Sequence, residues 1–590
     1  MRWALVVSGA LFLLLAQGGC EAKKEEAQVP SRVVSPGELR AQCEQMVGPP
    51  RVERVSERVW VALGFDLANV ALIHTQEGNI IVDAGMSPAK AREIKSALER
   101  EAPAWPVRAL IYTHSHIDHV GGATVWVQEG TQIWATEGFS QHLLKQYGLF
   151  REAEKRRGLK QFGMRVDLQS LPCSAIGPRP DMEAMQETGV LFPTHTFSGQ
   201  RELLVGGLSI HLLEAHGETH DHLFLWIPQE KTLLCGDNFY WSFPNLYTLR
   251  GTSPRPVDDW IQSLDRMRSL GAEHLVPGHT RPLHGKEEIA RVLRDYRDAI
   301  QWVRDEVVRG ANRGLDMDTL AETIRLPQHL AGEPQNRELY GQVDWSVKAI
   351  YTNNLGWFDG RAHRVHPLSH LEAARREVQL LGGPGRVLDL AKAALDDADP
   401  RWAIHLLGKL KDSGLAQDKT LERLKELLAA SYETLAQEIP NSNGRGYLLE
   451  SVKELREGIL KTPGPTADPR FLEQIPLPHL FSLMSTALAP EDAMDLEECM
   501  AFVFPDEAKR FNLTVRRGIA EVWEGEPLPG TPEPVAVLTM DSVDFRRILF
   551  KLANPASLYL KGRIRAQGSW LKALAFLGRF HLGAEQKGGG

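Results

Sequence analysis

The sequence predicts an α/β domain, then a helical region, then a small α+β domain. Three observations carry this. Short β-branched runs alternate with amphipathic helical patterns out to about Gly285. From Lys286 to about residue 460, long helical patterns with few strand runs replace them. Pro463, Pro465, Pro469 and Pro476 then set off a last segment in which helices and strand-like runs mix.

Each element follows from its own pattern. Residues 59–63, 70–74 and 79–83 are apolar runs separated by Gly and polar turns, so they predict successive strands. Apolar spacing and charge pairing predict a helix over 89–100. Residues 107–112 predict another buried strand, and 124–133 open the next unit. Helices are expected at 287–309, 387–395, 402–410 and 421–437, with strands at 510–515, 519–523 and 536–540. The expected layout is a catalytic α/β domain at 51–285, a helical domain at 286–460, a linker at 461–476 and a terminal domain at 477–590.

Length and composition bound the function. With 590 residues, two to four domains of about 150 residues each are expected. At 43% hydrophobic and 24% charged, the chain is an ordinary packed protein rather than a disordered, collagen-like or polytopic membrane one. The net charge of −8 gives no overall basic footprint for nucleic acid.

Arg2 precedes an apolar run over residues 3–16 and then Gln17-Gly18-Gly19-Cys20. This reads as a secretory signal peptide at 1–20. The run is too short to span a bilayer, which takes about 20 apolar residues. Small residues directly before Cys20 resemble a bacterial lipobox, so an exported protein is expected, lipid-anchored to a membrane through Cys20. Residues 21–50 are expected to be a polar tether. Cys43, Cys173, Cys235 and Cys499 are scattered without a CxxC pair, and no disulfide framework is expected from them.

The chemistry concentrates in Thr113-His114-Ser115-His116-Ile117-Asp118-His119-Val120-Gly121-Gly122, directly after the strand at 107–112. Two imidazoles two residues apart on an extended segment point the same way. Asp118 and His119 follow where two glycines let the chain turn. One loop thus offers three imidazoles and a carboxylate, enough to seed two adjacent zinc sites.

This run resembles the first metal motif, HxHxDH, of the metallo-β-lactamase superfamily. Asp83, at a strand end, is similar to the superfamily's early structural Asp. Cys235-Gly236-Asp237 resembles its Gly-Asp motif with a metal-bridging carboxylate, and Pro277-Gly278-His279 resembles its last ligand. The middle ligand is usually the His of Gly-His-Thr, 19 residues before the bridging Asp. Here Gly217-Glu218-Thr219 stands at that interval. Carboxylate oxygen is an acceptable zinc ligand, so Glu218 is the candidate, with His216, His220 and His222 as competitors.

The Glu resembles one branch, the bacterial alkyl sulfatases. Gly64-Phe65-Asp66-Leu67-Ala68-Asn69, Arg156-Arg157 with Gln161-Phe162-Gly163, Asn245-Leu246-Tyr247-Thr248-Leu249-Arg250-Gly251, Lys348-Ala349-Ile350-Tyr351 and Leu355-Gly356-Trp357-Phe358-Asp359-Gly360 are similar to that family's signatures. Two positions differ: the family commonly has Glu at Asp237 and His-Asn at Trp345-Ser346. The resemblance implies a metallo-β-lactamase αββα sandwich, an all-α dimerisation domain and a C-terminal domain similar to sterol carrier protein type 2, with an apolar tunnel. It implies two zinc ions on His114, His116, Asp118, His119, Glu218, Asp237 and His279, and sulfate held by Asn245 and Arg250. Asp118, Asn245 and Arg250 are the implied catalytic residues.

The expected function is hydrolysis of an alkyl sulfate by metal-activated water, giving an alcohol and inorganic sulfate, in a homodimer of the cell envelope or periplasm. Two rivals are a hydrolase of another ester (phosphodiester, lactone or β-lactam) and a non-catalytic lipid-binding lipoprotein. Nine Lys/Arg against one acid after residue 544 suit contact with an anionic amphiphile.

Overall fold

The computed structural model describes residues 33–581, apart from Trp105 and Pro463. The expected signal peptide at 1–20, with Cys20, lies outside the described residues. Two sheets face each other in the first domain. The first holds seven strands in the order Arg51–Arg54, Val59–Leu63, Val70–Thr75, Gly78–Val82, Val107–Ile111, Gln132–Thr136 and His195–Phe197. The second holds six: Leu283–His284, His274–Pro277, Thr232–Gly236, Leu223–Ile227, Leu208–Glu214 and Gln200–Val205.

Side-chain alternation decides the layers. Val59, Val61 and Leu63 pack between the sheets with Ile210, Leu212, Leu223 and Leu225. Trp60 and Ala62 face the other way, onto Ile94 and Leu98 of the helix Pro88–Glu101. On the far side, Phe224, Leu233 and Leu275 pack against Trp260 and Leu264 of the helix Val257–Ser269. The result is the αββα sandwich.

The helix Lys286–Asn312 buries Ile289, Val292, Leu293, Tyr296, Ile300, Val303 and Val307, a stripe at helical spacing, in that same outer core. Val347 and Ile350 of the helix Val343–Leu355 join it. The apolar cover of the second sheet therefore runs past residue 285. Further on, Pro384–Asp396, Pro400–Ser413 and Asp418–Glu438 pack around a core of their own that includes Val387, Leu406, Leu407 and Leu428.

Three expectations are corrected. The 21–50 segment is not a bare tether: Ser35 caps a helix, Pro36–Met46, in a capping box with Glu38, and Leu39 and Met46 are buried. Cys43 on that helix is disulfide-bonded to Cys173, a connectivity that spacing could not supply. The 461–476 linker is docked. Thr466–Ala467 pairs in parallel with Glu187–Thr188, and Phe471 stacks on Phe192 with ring centroids 4.9 Å apart.

The last domain is a five-stranded sheet in the order Ile519–Glu524, Lys509–Arg516, Glu497–Phe504, Pro534–Thr539 and Arg565–Gly568. Phe481, Phe502, Phe504, Phe511 and Phe545 fill its interior. One cavity of about 330 Å³ lies beside Ser482, Ser485, Phe511, Ala520 and Val522.

Candidate metal centre

The strand Val107–Ile111 delivers Thr113 and the His114–His119 loop to the edge between the sheets, and a short helix, Ile117–Val120, carries Asp118 and His119. Gly121 and Gly122 are required by close approach: a Cβ on them would stand 1.9 Å from Met86 O and 2.3 Å from Ala84 O. Only glycine lets the turn seat against that backbone.

Asp83 organises the ligands from beneath. It adopts φ 62°, a conformation Asp tolerates better than most residues. Its carboxylate accepts from Thr113 N (2.8 Å), Thr113 Oγ1 (2.9 Å) and His119 Nδ1 (2.8 Å). A carboxylate only accepts, so His119 Nδ1 carries a proton, and the ring turns Nε2 toward Asp118 (3.5 Å) and Asp237 (3.4 Å). Thr113 Oγ1, having donated to Asp83, accepts from His114 Nδ1 at 3.1 Å. His114 Nε2 then lies 2.8 Å from His116 Nδ1 and 3.7 Å from Asp237. Leu67 O fixes His279 Nδ1 at 2.7 Å, and its Nε2 lies 3.1 Å from Asp237 and 3.4 Å from Asp118.

The ligand atoms fall into two groups: His114, His116 and Asp237, and Asp118, His119 and His279. All six side chains are buried. His119 Nε2 and Asp237 Oδ1 have no hydrogen-bond partner among the described residues. Burial opposes the charging of His119 and His279, yet the Asp237 and Asp118 carboxylates raise both. His114 and His116 are held low, first by burial. Buried imidazole and carboxylate atoms that converge in this way, two of them without partners, are the donor set a divalent, borderline-soft cation takes.

Glu218 is placed beside the first group, with Oε1 3.9 Å from His116 Nδ1 and Oε2 paired with Arg255. Its competitors lie elsewhere. His216 sits between Glu214 and Asp259, at 3.2 Å from each, and His220 stacks on His142. His222 supports the site from below: its Nε2 accepts from Asp237 N at 3.0 Å, and burial lowers its pKa to about 3.

Asn245 is buried, with Oδ1 unpartnered among the described residues. Arg250 places Nη2 3.2 Å from His116 Nε2 and pairs Nη1 with Glu154. One face of the helix Arg151–Gln161 holds this run. Glu154 grips Arg250, Arg157 donates to Leu249 O (2.9 Å), and Gln161 Oε1 accepts from Thr248 Oγ1 and Arg250 N, both at 2.7 Å. Ser346, at the position where the related family has Asn, is buried and donates to Gln342 O. Sequence reasoning missed Arg255, Glu154 and the grip of Gln161. A signal existed only for Gln161, inside the quoted Gln-Phe-Gly signature.

Comparison with known proteins agrees with this architecture. Residues 63–279 match the metallo-beta-lactamase superfamily, 316–458 the alkyl sulfatase dimerisation family and 465–582 the alkyl sulfatase C-terminal family. A linear primary-alkylsulfatase of Pseudomonas sp. (strain ATCC 19151) is 32% identical over 531 residues, covering 86% of this chain and 98% of that protein. An (R)-specific secondary-alkylsulfatase of Pseudomonas sp. is 26% identical over 550 residues, covering 89% and 80%. Among solved structures, the stereoselective inverting sec-alkylsulfatase Pisa1 from Pseudomonas sp. superposes with a TM-score of 0.84 over 92% of this chain and 86% of that one, at 24% identity. With its three domains matched in order and a relative 32% identical over 86% of its length, this chain belongs to the alkyl sulfatase family of the metallo-β-lactamase superfamily.

Proposed function

We propose that this enzyme hydrolyses the sulfate ester of alkyl amphiphiles to an alcohol and inorganic sulfate, with two zinc ions at its centre. The observation that carries the reading is the approach of Arg250 to His116 at the edge of a buried cluster of six metal-ligating side chains. His114, His116, Glu218 and Asp237 would hold one ion and Asp118, His119 and His279 the other, with Asp237 between them. Bound there, the ions supply Lewis acidity and lower the pKa of water. The chain's own residues do the rest. Arg250 offers a planar, always-charged fork to a tetrahedral oxyanion, and the amide of Asn245 orients it. Asp83 and Leu67 O keep the imidazole nitrogens aimed. The test is sulfate release from dodecyl sulfate by the zinc-loaded chain, run beside a phosphodiester and a lactone. Turnover of either competitor above that of the sulfate ester would sink the reading.

The working form is a homodimer built through the helical domain. Leu355, Trp357, Val365, Leu368 and Leu371 expose a run of large apolar side chains there, with Trp357 80% exposed. Light scattering is expected to return twice the chain mass; a monomer at micromolar concentration contradicts this. The protein is exported to the cell envelope and lipid-anchored through Cys20. The Cys43–Cys173 bond supports export, since such bonds persist in oxidising compartments. Membrane fractionation of Cys20→Ala checks the anchor: unchanged membrane association removes it.

A further inference from the structure

Glu218 is the third carboxylate of the buried cluster, after Asp118 and Asp237, and a carboxylate brings one more negative charge than an imidazole would. Such a group is costly to bury unless a cation meets it. The structure supplies that cation. The Arg255 side chain is 1% exposed, and its Nη1 pairs with Glu218 Oε2. Among the described residues, no other acid lies within ion-pair reach of Arg255. Arg255 enters just before the helix Val257–Ser269, whose Trp260 Nε1 donates to Asn238 O at 2.9 Å. Asn238 Oδ1 in turn accepts from Glu218 N at 3.1 Å. Backbone and side chain of Glu218 are thus fastened from the same side. With Oε2 committed to the guanidinium, Oε1 is the oxygen turned toward His116 Nδ1, 3.9 Å away.

We propose that Arg255 is a positioning residue for the metal centre: it is the fixed counter-ion that lets a carboxylate serve as the middle ligand, and it sets which oxygen Glu218 offers. This rests on Glu218 being a ligand. Arg250, placed toward the substrate side and paired with Glu154, does a different job.

The experiment reads zinc stoichiometry and affinity by competition with a chromophoric chelator, on the full chain, with melting temperature as the control for folding. Arg255→Met is expected to weaken one of the two zinc ions about 10- to 100-fold, the usual cost of losing a group that orients a ligand. Arg255→Lys should recover part of that, because it restores charge without the fork. Glu218→His should also weaken zinc, since it places an imidazole against an unpaired guanidinium. The double variant Glu218→His/Arg255→Met should return to within a few-fold of wild type. If Arg255→Met does not fold, the Lys variant and the double variant give the same comparison. Wild-type zinc affinity in Arg255→Met together with a raised KM for dodecyl sulfate would overturn the proposal and make Arg255 a substrate contact. Unchanged zinc in Glu218→Ala would instead remove the ligand assignment itself.

Discussion

Gln161 Oε1 receives the backbone N–H of Arg250 at 2.7 Å, so a residue 89 positions upstream decides where the guanidinium sits. A sulfate-binding Arg250 makes two outcomes expected. Arg250→Ala should lose about 2–4 kcal/mol of transition-state stabilisation, roughly 30- to 1,000-fold in kcat/KM, with zinc content unchanged. Gln161→Leu should cost roughly 10- to 100-fold through misplacement alone. Steady-state kinetics with metal analysis on the same samples checks both.

Asp83 fixes His119 directly and His114 through Thr113. Asp83→Asn keeps a residue that accepts φ 62° but weakens the acceptor. Zinc affinity should fall about 10- to 100-fold with little change in melting temperature of the metal-free protein. Chelator titration measures the first and calorimetry the second.

The Cys43–Cys173 bond spans 130 positions and ties the helix Pro36–Met46 to the catalytic domain. Breaking a link of that span is expected to cost about 2–5 kcal/mol. Cys43→Ser/Cys173→Ser should melt at a lower temperature than the oxidised wild type. Reductant should bring the wild type down to meet the variant and leave the variant unmoved.

Burial raises the Asp221 carboxyl to about 6, outweighing the neighbouring Thr219 and Ser115, which favour its charged form. Its pKa in the unfolded chain is about 3.8. The folded state therefore binds this proton more tightly, and the contribution to stability is fully present below pH 4 and lost as pH rises through 6. The loss is on the order of 3 kcal/mol. Asp221→Asn mimics the protonated form, so its advantage in melting temperature over wild type should be larger at pH 8 than at pH 5. An equal advantage at both pH values contradicts the shift.

The strands at 59–63 and 70–74 were legible because burial on both faces makes each a short continuous apolar run, and the helices after 286 because burial on one face imposes a period on the chain. The histidine loop was legible because its candidate ligands are neighbours in sequence. Arg255 and Glu154 were not, since each acts through a contact between distant segments that leaves no local period. The helix Pro36–Met46 did carry its capping signal, Ser35 with Glu38, but polar, proline-containing surroundings hid it.

The helix Arg151–Gln161 touches the run at 245–251 through Glu154, Arg157 and Gln161, whereas the candidate metal ligands are braced by Asp83, Thr113, Leu67 and His222. The two sets of supports meet only where Arg250 reaches His116. If Arg250 holds the sulfate, substitutions along this one helix should shift which oxyanion is accepted more than they shift metal affinity.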